Sequence, residues 1–212
     1  MAPEPRLRAD ARRNHHQIIA TAREVFVESG LDVPMEAIAR RAGVGVGTLY
    51  RRFPDRGELI AAVAAHTFRA LLADLRAAAD GAASAWDTFV RFLTGSENLL
   101  LTVHLAFLSP QAWTPVHAAP ESRDVHREMM TALDRLVRDA QREGSMREDI
   151  GPGDALSLVS LVLGALPAAA DPAGHVRTQR WLWLVLDGLR ANPGGSPLPG
   201  APVTLGDLDV HI

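Results

Sequence analysis

The stretch MEAIARRAGVGVGTLYRRFPDR, Met35 to Arg56, constrains the fold more than any other part of the chain. Its first half places Met35, Ile38, Ala39 and Ala42 at three- and four-residue spacing, the buried stripe of a short helix. Gly43, Gly45 and Gly47 follow, three glycines within five residues, and then an aromatic, two arginines and another aromatic. Such a cluster serves either a phosphate-cradling loop or a break between two helices. A phosphate loop follows a buried strand and opens a helix, so that backbone N–H groups face the pyrophosphate. Here MEAIARRA is a helix former without a β-branched run, and GVGVG spells G-x-G-x-G rather than G-x-G-x-x-G. A helix–turn–helix fits better. It needs a small residue where the helices cross, a glycine in the turn, a buried apolar residue after it and a second helix with one free face. Ala39, Gly43 and Val44 supply the first three. Gly45 stands at the N-cap, where glycine is an acceptable cap though not the leading one. Leu49 and Phe53 are expected to bury one face of the second helix against Ile38 and Phe26. The opposite face then presents Val46, Gly47, Thr48, Tyr50, Arg51 and Arg52 with no acid among them, a surface suited to a phosphate-lined groove.

The remainder reads as helices too. Valine-rich alternating runs bounded by hairpin turns are missing until the last residues, which predicts an all-α fold of about nine helices. The first is expected over about residues 9–29, with Ile18, Ile19, Ala22, Val25 and Phe26 inward and Gly30 as its stop. Asp32 and Pro34 should open the second. Pro54-Asp55 breaks the chain and caps a long helix over about residues 56–80. Another run extends from Ala85 towards Leu108, bent or interrupted near Gly95, and SPQAWTPVHAAPES reads as a proline-punctuated linker. Helices over about 121–143, 154–166 and 173–191 complete the body. The expected organisation is a helix–turn–helix head (9–63), a helical body (64–191) and a mobile Pro/Gly-rich tail (192–212).

Composition narrows the functional classes. The chain has no cysteine, which excludes disulfides, thiol catalysis and cysteine-ligated zinc. All 22 basic residues are arginine, most simply the codon bias of a GC-rich genome, so each arginine carries less weight as a signal. Residues 1–64 hold ten arginines against eight acids, a net of +2, which leaves −5 for the rest of a chain whose total is −3. A mildly basic head on an acidic body permits a polyanion at one end. The opening MAPEPRLRADARRNHHQ lacks the apolar core of a signal peptide, and Leu156 to Ala170 is short for a membrane span and contains Gly164 and Pro167. A cytoplasmic protein without a membrane partner is expected.

Residues 17–63 resemble the DNA-binding domain of the tetracycline-repressor (TetR) family of bacterial regulators. The resemblance is carried by AREVFVESG and MEAIARRAGVGVGTLYRRFPDRGELI, and above all by Gly43-Val44, Gly47-Thr48-Leu49-Tyr50, Phe53 and the basic Arg56 before Leu59. It implies that Val46 to Thr48 lie at the groove entry with Gly45 at the cap before them, that Thr48 and Tyr50 contact phosphate or base edges, and that Arg51, with Arg52 beside it, lies near bases or backbone. Arg56, in the place of the family's usual lysine, would hold a phosphate. Two departures stand out. Gly45 replaces the usual hydroxyl residue at the cap, and Val46 replaces a commonly polar or basic one, leaving a thymine methyl as its natural contact. His15 and His16 read as exposed, and Arg40 and Arg41 read equally as a solvated face or as DNA ligands.

The body shows no nucleophile elbow or HExxH pattern, so no catalytic residues are assigned and neither cofactor nor metal is expected. A histidine metal site from His104, His117 and His126 is the weaker reading. The resemblance implies an effector cavity among the body helices, with His66, Trp86, Phe89, Phe92, His104, Phe107, Trp113, Met129 and Met130 as candidate lining and an apolar or aromatic small molecule as effector. Each could equally be plain core. The last two helices look like a homodimer surface. Leu158, Leu161 and Gly164 lie on one, and Trp181, Trp183 and Leu184 in the run WLWLVL on the other, which is apolar all round and needs covering on several sides. The function that follows is a DNA-binding transcriptional regulator on a palindromic double-stranded operator, released by its effector. The alternative is a helical small-molecule-binding protein or enzyme without DNA binding.

Overall fold

The computed structural model describes residues 5–96, 98–99, 102–103, 113–164 and 172–209. Ten helices are assigned within them: α1 (Pro5–Ser29), α2 (Met35–Arg41), α3 (Val46–Arg52), α4 (Arg56–Ala79), α5 (Ala85–Gly95), α6 (Trp113–Ala118), α7 (Pro120–Arg142), α8 (Pro152–Gly164), α9 (Pro172–Leu189) and α10 (Leu205–Asp209). Among the described residues there is no strand, only an isolated antiparallel bridge between Met146 and Arg190.

Two cores organise the chain. Ile18, Ala22, Phe26, Ile38, Leu49 and Phe53 form the head core with Leu59 and Val63 from the start of α4. Further along the same helix, Phe68, Leu71 and Leu72 enter the body core with Phe89, Phe92, Met129, Leu133 and Leu186. Helix α4 therefore belongs to both units, a rod of 24 residues with α1 against its beginning and α5, α6 and α7 packed along it. Its start is set locally, because the Asp55 carboxylate accepts the Glu58 N–H at 2.9 Å. Ser84 caps α5 in the same way through Asp87 N–H at 3.0 Å. Helix α5 ends at Gly95, where Ser96 turns its hydroxyl to Asp74 at 2.6 Å, in keeping with the interruption read there.

Three expectations need correcting. The segment read as a proline linker contains α6, because Pro115 falls in its first turn and Pro120 at the start of α7, where a missing N–H costs nothing. Asp32 does not cap α2; Pro34 occupies the N-cap and no side chain bonds there. The tail read as mobile is fastened to the body. Val203 accepts the Gly153 N–H at 2.9 Å and donates its own N–H to Asp154 at 2.9 Å. Arg147 donates to Ser196 O at 3.0 Å, and Asp149 accepts Leu198 N–H at 3.0 Å. The Asp154 carboxylate also accepts Gly151 N–H at 2.8 Å, closing the first turn of α8. The seat is made of glycine: a Cβ on Gly151 would lie 2.0 Å from Val203 O, and one on Gly153 would lie 2.5 Å from Thr204 O. Proline and glycine content measures stiffness and freedom in an isolated segment, and is blind to partners some fifty residues away.

Candidate nucleic-acid interface

The turn between α2 and α3 is built as a helix stop. Gly43 takes φ +66°, and its N–H and that of Val44 return to Arg40 O at 3.1 Å and Ala39 O at 3.0 Å. Ala39 is fully buried, which lets α3 cross closely. Leu49 and Phe53 hold α3 to the head core, so the remaining positions turn outward. Gly45 is the N-cap without a side-chain bond, and Gly45, Val46, Gly47, Tyr50, Arg51 and Arg52 are exposed, with Thr48 half-buried. Thr48 Oγ1 accepts from Arg51 Nη2 at 3.0 Å, which holds hydroxyl and guanidinium together on one face. Val46 and Tyr50 stand 39% and 40% exposed on this face.

The charges around this face have defined partners. Arg41 forms a two-pronged ion pair with Glu28 of α1, one contact of which is 2.7 Å, so it ties α2 to α1. Arg56 is half-buried, and its Nη1 donates to Leu31 O and, at 2.6 Å, to Val33 O. It fastens α4 to the turn before α2, a role that spacing did not signal. Tyr50 donates its phenol proton to Glu36 Oε1 of α2 at 3.1 Å, and this bond raises the phenol above its ordinary pKa. Glu36 was not foreseen at the interface, because it lies fourteen positions before Tyr50. His15, expected exposed, is half-buried and stacks on Phe53 with ring centroids 5.2 Å apart. Burial, then the nearby Arg52 and His16, lower its pKa.

The candidate effector residues separate. Trp86, Phe89, Phe92 and Met129 are buried in the body core, and Met130 packs half-buried against it. His66 is exposed on α4, near Arg23 and His16 of α1. His104 and Phe107 lie outside the described residues. Trp113 lines a small apolar space of about 50 Å³ where head meets body. Phe26 and Leu31 of the head line it, facing Ile60, Val63, Ala64, Thr67 and Phe68 of α4 and Thr102, Trp113 and Val116. The Trp113 indole N–H is buried and has no hydrogen-bond partner among the described residues. Around it stand Phe68, His117 and His126, with ring centroids 5.3 to 6.4 Å from its own. Among the described residues no group of three or more His, Asp or Glu could hold a metal ion.

The candidate dimer residues lie on α8 and α9. Leu158, Leu161, Trp181, Trp183 and Leu184 are exposed, Leu161 and Leu184 by 60% and 67%. Gly164 is the last residue of α8, which packs against α9. Arg190 stands over the Trp86 ring at 5.2 Å and borders an open groove floored by Trp86 and walled by Trp183 and Leu184. No helix among the described residues is long and apolar enough to cross a membrane.

A helix–turn–helix head joined through one shared helix to an all-helical body defines the class. Comparison with known proteins names it. A model described as "Bacterial regulatory proteins, tetR family" matches residues 18–63, and one described as "Transcriptional regulator SbtR-like, C-terminal domain" matches residues 81–191. The chain belongs to the TetR family of bacterial regulatory proteins. A TetR transcriptional regulator of Streptomyces coelicolor is similar over 84% of this chain and 98% of its own, at 30% identity and a TM-score of 0.57. A TetR regulatory protein of Mycobacterium vanbaalenii is similar over 87% and 99%, at 29% identity and a TM-score of 0.56. A helix-turn-helix-type transcriptional regulator of Staphylococcus aureus is 41% identical over 54 residues, 25% of this chain and 29% of that one. The chain thus spans less than a third of the length of the curated relatives it matches.

Proposed function

We propose that the protein is a homodimeric, ligand-responsive DNA-binding transcriptional regulator, a repressor released from a palindromic operator by a small apolar effector. The observation that carries the reading is the outer face of α3, where Val46, Gly47, Thr48, Tyr50, Arg51 and Arg52 project from a helix whose other face is locked into the head core. Among the described residues, no atom beyond its chain neighbours and its own helix backbone lies within 4 Å of a Cβ built on Gly47, so the fold does not demand glycine there. A helical glycine costs about 0.5–1 kcal/mol relative to alanine, and close approach of the helix backbone to a groove is a use that offsets it. Arg51 and Thr48 act as the polar contacts and Val46 as a methyl contact. Arg56 sets the head geometry first, with phosphate contact secondary, because its Nη1 is engaged with carbonyls.

The apolar surface of α8 and α9 is read as the dimer face, which pairs two heads on successive major-groove half-sites. The effector is read as entering the cavity at the head–body joint. A ligand that widens this space separates Phe26 and Leu31 from α4 and α6, and so moves the head. It shifts the population only if it binds the two head positions with different affinity.

The test is electrophoretic retardation of DNA from upstream of its own gene at two salt concentrations. Specific, salt-sensitive retardation is expected, weakened by at least about 1 kcal/mol in folded Thr48→Ala and Arg51→Ala variants. Unchanged affinity in both would refute the assignment of α3. Absence of retardation at either salt would favour a helical small-molecule-binding protein or enzyme that does not bind DNA.

A further inference from the structure

The outer face of α3 contains no acid of its own, but the fold brings one to it. Glu36, in the first turn of α2, is exposed, and its Oε1 accepts the Tyr50 hydroxyl at 3.1 Å. A phenol has one proton to donate. While that proton is directed at Glu36, the Tyr50 oxygen has only lone pairs to offer a duplex. Phosphate oxygens also only accept, so the two cannot pair. Major-groove edges do carry matching donors, the cytosine N4 and adenine N6 amino groups. We infer that Glu36 is a specificity-determining positioning residue, which holds the Tyr50 oxygen as an acceptor for a base amino group and keeps it from serving as a phosphate anchor. The inference rests on the reading that this face of α3 meets DNA.

The Glu36 carboxylate also repels phosphates, which weakens binding to every sequence alike and leaves discrimination to the amino-group contact, a difference between the preferred sequence and the rest. Water competes for the exposed Tyr50–Glu36 bond in the free protein, and covering the face with a duplex removes that competitor and strengthens the bond. The nearby Arg56 keeps the site from being purely anionic.

The experiment uses the full chain. A pool of random-sequence duplexes is selected with the wild type to obtain a preferred site, and affinities for that site and for a scrambled duplex are then measured at two salt concentrations. Wild type, Glu36→Gln, Glu36→Ala, Tyr50→Phe and the Glu36→Ala/Tyr50→Phe double variant are compared, each checked for folding. Glu36→Ala should lower the ratio of specific to scrambled affinity about tenfold. It should also steepen the salt dependence on scrambled DNA, because one carboxylate that opposes the phosphates is gone, and Glu36→Gln should share that change. Glu36→Gln keeps an acceptor for the same proton and should retain most of the ratio. Tyr50→Phe should lose the ratio, and the double variant should lose no more of it than Tyr50→Phe alone. Identical ratios in Glu36→Gln and Glu36→Ala, or an unchanged ratio in Glu36→Ala, overturn the inference while leaving α3 as the DNA face. A wild type that selects no sequence, or Thr48→Ala and Arg51→Ala variants that both keep full affinity, overturns both.

Discussion

Replacing Gly153 by alanine should have opposite effects depending on whether the tail is present. The added Cβ would lie 2.5 Å from Thr204 O and 2.7 Å from both Val203 O and Val203 Cγ1. Relief requires the tail to retreat by most of an ångström, which breaks the Gly153 N–H bond to Val203 O and the Val203 N–H bond to Asp154, both 2.9 Å long. Two such bonds are worth about 2 kcal/mol together. Against this, alanine in the first turn of α8 is favoured over glycine by about 0.5–1 kcal/mol. The full chain should therefore lose about 1–1.5 kcal/mol. In a chain ending at Gly194, Val203 and Thr204 are absent, and the same substitution should gain about 0.5 kcal/mol or more. Urea denaturation of the four proteins forms a double-mutant cycle, and the sign reversal is its readout. The same sign in both backgrounds would refute the claim that the tail occupies this seat.

Arg56→Ala should destabilise the head by about 1–2 kcal/mol, since the carbonyls of Leu31 and Val33 lose a charged donor. A melt of the variant checks this, and unchanged stability would return Arg56 to a phosphate-binding role. His15 is held below the ordinary histidine pKa chiefly by burial, and the exposed His66 is lowered by partial desolvation and then by the nearby Arg23. The unfolded chain therefore binds more protons as pH falls through about 6.5, and the folded state is favoured above that pH and loses stability below it. His15→Phe preserves a ring against Phe53 while removing one of these protonations, so urea midpoints from pH 8 to pH 5 should decline less steeply than in the wild type. An equal decline would show that His15 does not contribute.

The sequence by itself determined the elements whose causes are local. Gly43 needed a left-handed backbone, Asp55 and Ser84 needed only an N–H three residues on, and the apolar spacing of α1, α4 and α7 set which faces turned inward. The exposed face of α3 followed from the same local logic, because burying Leu49 and Phe53 leaves the others outside. Tertiary structure decided what depends on partners distant along the chain. It engaged Arg56 with carbonyls twenty-three and twenty-five residues away, turned His66 outward, and brought Glu36 to Tyr50. It also seated the tail on Gly151 and Gly153, forty-nine residues from Val203 in the Asp154 bond. Helix periods and caps are short-range and repeat in the chain, whereas a hydrogen bond between distant segments is specified only once packing has brought its two ends together.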